Sequence, residues 1–233
     1  MPIGAARAGI VGGGIAIPDS GMFQSLIYQY WAGAYNGTDG DSPFNLPEVL
    51  TDSTATAVGA PVFRADQAGF AAAEYDGTDD GHDALTGQLP TGAVSVSFAA
   101  LVYVPTAHTG RVFAYGDGSD GGSALMAVRD DNTVEATVPG GSYSFATGGS
   151  YPTGEWMTIG ASFDTDTADA VLNGSFVATD GGSQYNISNQ SAGIAYSGFD
   201  TSFWFDGFVS EVVISNAAEP EQAFSDYHTN RLG

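Results

Sequence analysis

Between Gly92 and Pro105 the chain reads GAVSVSFAALVYVP. Val94, Val96, Phe98, Ala100, Val102 and Val104 share one face at period two, and Ser95, Ser97, Ala99, Leu101 and Tyr103 share the other. That alternation predicts a long strand partly covered on both faces. Similar segments follow: RVFAYGD (111–117), ALMAVRDDNTVEATV with a turn at Asp130–Asn132, and EWMTIGASFD with Met157, Ile159, Ala161 and Phe163 in phase. DTDTADAVLNGSFVAT reads as turn, strand, Asn-containing turn and strand, and FWFDGFVSEVVIS as the last long strand. One helix is expected after Pro220, with Phe224 and Tyr227 three residues apart on one face. Short strands separated by turn signals predict an all-β fold, a sandwich or jelly roll.

Before residue 71 the pattern is less regular. Residues 1–22 are small and Gly-rich, and "FQSLIYQYW" follows. The segment 1–35 is expected to be an extended N-terminal arm that docks on a neighbouring subunit, with Tyr28, Tyr30, Trp31 and Tyr35 as its interface anchor. Residues 36–233 would then form the sandwich. The apolar run Ala8–Ile17 contains four glycines, which argues against a secretory signal.

Composition narrows the partners. The chain holds 27 acidic residues against five arginines and no lysine, a formal charge of −22. Such a surface repels polyanions, so nucleic acid is excluded as a natural partner. Molar salt shortens the Debye length to roughly 3 Å and screens this self-repulsion, so the composition points to a high-salt setting. There is no cysteine, hence no disulfide or thiolate metal site. No apolar run approaches the ~20 residues of a membrane-spanning helix, so no membrane insertion is expected.

The order of segments resembles the laminin-G-like, concanavalin A-like jelly roll. The matching pieces are YDGTDD (75–80), VSVSFAALVYV, the G-x-W strand GEWMTIGASFD (154–164), AVLNGSFVAT, and FDGFVSEVVIS (205–215) with its short helix. The resemblance spans about residues 65–230. It implies an antiparallel jelly-roll β-sandwich with an N-terminal arm and a short C-terminal helix. It also implies that Trp156 sits at a core position and that the acidic turn leaves an early strand.

The stretch AEYDGTDDGHDAL raises the question of metal. Some relatives bind calcium through loop carboxylates, which makes Asp76, Asp79, Asp80 and Asp83 calcium candidates, since calcium takes six to eight oxygen ligands. In so acidic a chain a solvated turn is the favoured reading. Asp117 and Asp120 in GDGSDGG form a comparable cluster, and neither matches the EF-hand spacing.

Catalytic signatures are missing. A glycosidase on this fold needs two carboxylates about 5–9 Å apart, and the E-x-D-x-x-E strand motif of such relatives does not occur. Glu135, Glu155 and Glu211 are far apart in sequence, and Glu211 is expected to be a structural, hydrogen-bonded carboxylate. His82, His108 and His228 are isolated and are expected at the surface. No nucleophile elbow, phosphate loop or dinucleotide fingerprint appears, so no enzyme is expected.

Phe203, Trp204 and Phe205 are expected mostly in the core, although exposed aromatics could stack on sugars. Four sequons, at Asn36, Asn173, Asn186 and Asn189, permit glycosylation. The stretch ATAVGAPVF ahead of EYDGTDD also resembles leaders of this domain in tailed-virus structural proteins. The expected function is therefore a virion structural protein (tail, fibre, spike or capsid-surface component) of a virus infecting a halophilic host. Its expected partners are other virion proteins, further copies of itself and a host surface glycan or glycoprotein. The alternative is a carbohydrate-binding or adhesion module at a haloarchaeal cell surface.

Overall fold

A computed structural model describes residues 10–11, 15–16, 23, 25–119, 122–138, 144–181, 186–188, 191–199 and 202–233. Two antiparallel sheets face each other across a single core. The front sheet is organised on the closing strand, Asp206–Ser215. One side of it pairs with Val96–Tyr103, followed by Trp156–Asp164, Thr167–Leu172 and Ser175–Gly181. The other side has two partners in turn. Asp206–Val209 pairs with Phe70–Asp76, itself in a hairpin with Val62–Gln67, while Glu211–Ser215 pairs with Leu26–Trp31.

The back sheet runs Ser144–Gly148, Val134–Val138, Ser123–Val128, Gly110–Gly116, Ser191–Ile194, Gly81–Asp83 and Ser53–Val58. Its last strand belongs to both sheets. Ser53–Ala55 pairs with Leu46–Glu48 of the front sheet, and Thr56–Val58 pairs with Gly81–Asp83 of the back. The two sheets are thus stitched together along one side.

The period-two face read from the sequence is the core face. Val96, Phe98, Ala100, Val102 and Val104 point inward against Phe113, Tyr115, Met126 and Phe163. Each large apolar side chain so buried contributes roughly 1.5–3 kcal/mol. The turn at Asp130–Asn132 and the Asn173–Gly174 hairpin also form as read, with Asn132 and Asn173 in the left-handed region at φ 64° and 48°.

The arm reading does not hold from Phe23 onward. Leu26–Trp31 is an integral strand of the front sheet. Tyr28 and Tyr30 are 2% and 0% exposed, and their hydroxyls accept the backbone N–H groups of Gln88 and Leu85. Trp31 is buried and Tyr35 packs on Phe44 and Phe63. The physical reason is the closing strand. Without Leu26–Trp31 its last five residues would present an unpaired edge inside the domain. Residues 1–22 lie outside the described part, apart from Ile10–Val11 pairing with Ile15–Ala16.

The helix Glu221–Leu232 covers the outer face of the front sheet. Phe224 and Tyr227 join Phe23, Val171 and Val213 in a second, smaller core. Gly160 permits this approach, since a Cβ there would lie 2.6 Å from the Phe224 ring. The helix is tied down by Glu211, which is 1% exposed. Its carboxylate accepts from Arg231 Nε at 2.6 Å and Nη2 at 3.0 Å, from Tyr227 Oη at 3.0 Å and from Gln29 Nε2. Glu211 is thus a structural carboxylate. Removing one member of such a buried pair costs about 3–5 kcal/mol.

Candidate functional site

Register places an unusual row on the outer face of the back sheet. Thr56, Asp83, Gly193, Ala114 and Leu125 stand side by side across five strands. The middle of that row is nearly bare of side chains. Tyr196 lies over it. Cβ atoms built at Gly81 and Gly193 would fall 2.6 Å and 2.8 Å from its ring carbons. The Tyr196 hydroxyl donates to the Asp83 carboxylate, and burial together with this bond raises its pKa. Tyr196 is held, and Trp204 stacks upon it with ring centroids 4.8 Å apart and planes within 6°. Trp204 is half-buried.

The backbone that presents this stack is strained on both sides. Ala195 and Phe203 have φ of 65° and 63°, a region costly for residues with a Cβ. Hydrogen bonds hold both: Phe205 N–H donates to Ala195 O at 2.9 Å, and Arg111 N–H to Phe203 O at 2.9 Å. The Phe203 side chain is 52% exposed. The Arg111 guanidinium lies 5.1 Å from the Phe203 ring centre and 5.8 Å from that of Phe199, and it donates to Ser197 Oγ. Only Phe205 of the late trio is core, at 0% exposure. The expectation is therefore corrected for Phe203, which the turn before the closing strand lifts out, and for Trp204, which packs half-buried on Tyr196 outside the core.

The acidic turn adjoins this rim. Asp76 pairs with Asp206 in register, and Gly77 lets the turn close on Asp206. Oxygens of Asp76, Asp79 and Asp80 lie within 4.8 Å of one another. Asp76 and Asp79 are exposed, as a solvated turn requires, but Asp80 is 6% exposed and accepts from Ala60 N–H at 2.6 Å. Burial, then the charges of Asp76 and Asp79, push its carboxyl above the ordinary range. The three form a hard-oxygen donor set of the kind that suits calcium. Asp83 is not part of it, because Tyr196 takes its carboxylate. Asp117 bonds locally to Ser119, and Asp120 lies outside the described residues.

The histidines are structural. His82 is fully buried rather than at the surface: Nε2–H donates to Phe44 O at 2.8 Å, and Nδ1 accepts from Tyr75 Oη at 2.9 Å. Burial lowers its pKa to about 4. His108 accepts Asp206 N–H at 2.9 Å, and His228 pairs with Thr158 Oγ1 at 3.0 Å. Trp156 packs between Phe70 and Tyr103 and donates to Gln67 O at 2.9 Å, half-buried on the front sheet rather than in the central core. Glu135 bonds to Arg129 and Thr137, and Glu155 is exposed.

The sheet topology and these segments identify the class, a lectin-like jelly roll. The chain belongs to the concanavalin A-like lectin/glucanases superfamily, whose family model matches residues 76–222. Among solved structures it is similar to domain 4 of AbnA, an extracellular arabinanase from Geobacillus stearothermophilus, in complex with arabinotriose. The TM-score is 0.59 at 18% identity, over 87% of this chain and 97% of that one. The receptor binding domain of a botulinum neurotoxin C/D mosaic serotype gives TM-score 0.62 at 9% identity, over 89% of this chain and 52% of that one. A Trypanosoma rangeli sialidase gives 0.57 at 12% identity, over 97% of this chain and 35% of that one. At these identities the likeness is one of fold. A search of curated proteins gave no match.

Proposed function

We propose that this chain is a non-enzymatic recognition domain that binds glycans on the Tyr196–Trp204 platform, carried on a virion that infects a salt-loving host. The observation that supports glycan binding is the stack itself. A half-buried indole is stacked on Tyr196, whose own ring rests on Gly81 and Gly193 and bonds to Asp83, and Phe203 next to it in sequence is exposed. A sugar ring offers a face of C–H groups to such an aromatic plane. The buried glutamates Glu48, Glu135, Glu211 and Glu219 are each engaged in the scaffold, which supports the non-enzymatic reading. Proteins of similar fold lend the reading weight: domain 4 of AbnA was solved in complex with arabinotriose, and cell entry of botulinum neurotoxin type C is dependent upon interaction with two ganglioside molecules.

A glycan array probed in molar salt tests it. Binding to a defined set of sugars, lost in Trp204→Ala while the urea midpoint holds, is the expected result. No binding above background, or binding indifferent to Trp204, removes the proposal. Incubating each bound glycan with the protein and finding it cleaved would instead make the domain an enzyme. The virion placement rests on composition and on the leader resemblance. Mass spectrometry of purified particles from a haloarchaeal host should detect the chain, whereas recovery only from the cell-surface fraction would favour the adhesion alternative. The salt-loving reading fails if urea midpoints in molar and millimolar salt are equal.

A further inference from the structure

The four sequons are not equivalent once the chain is folded. Asn189 lies outside the described residues; the other three differ in what holds them. Asn173 occupies the left-handed position of a two-residue hairpin. Its Oδ1 accepts Thr158 N–H at 3.1 Å, its own N–H donates to Thr158 O at 2.8 Å, and Gly174 beneath it packs on the C-terminal helix. Asn186 is exposed, but the next residue, Ile187, is 2% exposed and bridged in both directions to Gly92, by bonds of 2.8 Å and 3.0 Å. The hydroxyl of its sequon, Ser188 Oγ, is buried. Asn173 and Ser175 are exposed, but drawing either segment into an enzyme cleft would open the backbone pairs that hold it.

Asn36–Gly37–Thr38 is different. All three residues are exposed. They follow the short 3₁₀ turn Ala32–Ala34 and precede the turn at residues 39–40, so no ladder passes through them. The loop is nonetheless presented in one shape. Asp41 accepts Thr38 N–H at 2.7 Å and Tyr35 Oη at 3.2 Å, while Tyr35 is anchored on Phe44 and Phe63. Gly37 is required there, because a Cβ would lie 2.1 Å from the Tyr35 ring and 2.3 Å from Asp41 Oδ2. The anchoring holds the flanks and leaves Asn36 and Thr38 exposed.

We propose that Asn36 is an N-glycosylation site of the folded protein and that Asn173 and Asn186 are not. The donor is an oligosaccharide linked through phosphate to a lipid. The Asn36 amide nitrogen forms a bond to the anomeric carbon as the bond from that carbon to the phosphate oxygen breaks. The lipid phosphate leaves with the electron pair, and a base of the transferase takes the amide proton. The glycan adds a bulky neutral group to a strongly acidic surface, at an element distinct from the Trp204 platform. The inference does not depend on that platform binding sugar.

The test treats the folded full-length chain in molar salt with an oligosaccharyltransferase and its lipid-linked donor, followed by glycopeptide mass spectrometry. The same chain unfolded in urea and digested to peptides serves as the second substrate. The expected result is modification at Asn36 alone in the folded chain, with Asn173 and Asn186 gaining modification only as peptides. Thr38→Ala should abolish the folded-state product, and Thr38→Ser should retain it. Modification of the folded chain at Asn173 or Asn186, with or without Asn36, overturns the proposal. So does an Asn36 modified as a peptide but untouched in the folded chain, or a chain that gains no glycan in either form.

Discussion

Two aromatic clusters of similar composition have opposite fates. Tyr28, Tyr30 and Trp31 lie near the beginning of the sequence and are buried, while Trp204 and Phe203 sit just before the last strand, the first half-buried and the second exposed. Local sequence favours the reverse, since the first group follows a Gly-rich stretch and the second runs into an apolar strand. Pairing decides the matter. Leu26–Trp31 is taken up along its length by the closing strand, so alternate side chains are driven into the core. Phe203 and Trp204 precede the ladder, and left-handed geometry at Phe203 turns them outward. Pairing accounts for the burial of the early cluster, whereas Phe205, just before the closing strand, is buried without it.

Deleting residues 1–35 should break this contrast most severely. It removes a strand from within the front sheet, and we expect loss of cooperative unfolding in urea, where a detachable arm would leave the midpoint unchanged. Next in size is the direct pair of substitutions. Tyr30→Ala should cost roughly 3–5 kcal/mol, as large-to-small changes in a core do. Trp204→Ala should cost less than about 1 kcal/mol yet remove glycan binding. Equal costs from urea titration would mean that the two clusters are not energetically distinct.

Acid should sharpen the comparison from the interior outward. His82 is held neutral between Tyr75 and Phe44, with its pKa lowered from 6.5 to about 4. Its contribution is complete above pH 6.5 and is lost as the pH falls toward 4. Moving from pH 7 to pH 4.5 in molar salt should therefore cost about 2–3 kcal/mol. A flat urea midpoint across that range would rule out a neutral buried imidazole. The smallest effect belongs to the rim. Asp80 has a raised pKa, so its ionisation opposes folding above that pKa. Asp80→Asn keeps the Ala60 acceptor and removes one of three crowded charges, and should gain about 0.5–1 kcal/mol in metal-free buffer. If millimolar calcium, but not magnesium, reverses the sign, the cluster is a calcium site.

Much of the fold was legible because period two survives wherever a strand is long. Val96–Tyr103, Trp156–Asp164 and the Asn173–Gly174 hairpin carry their own signals. Leu46–Glu48 and Gly81–Asp83 are three residues long, too short for any period. Ser53–Val58 changes sheets halfway, so its two halves answer to different faces. The site was less legible still. Asp83 and Tyr196 are 113 residues apart, and the floor beneath the ring is made of glycines that read as ordinary turn residues. His82 looked exposed among aspartates because its partner, the Phe44 carbonyl, lies 38 residues away.

The pairing of Leu26–Trp31 with Asp206–Ser215 also bears on how the protein is made. The interior of the front sheet waits for one of the latest strands to be synthesised. A nascent chain that has emerged only as far as residue 200 holds Tyr28, Tyr30, Phe98 and Val102 without the strand that lies between them. Contacts between such distant segments form slowly, and unpaired strand edges stay open meanwhile. Such a topology is expected to fold late in synthesis, once the closing strand has emerged. Self-repulsion from the −22 charge is expected to keep the unfinished chain dispersed until then.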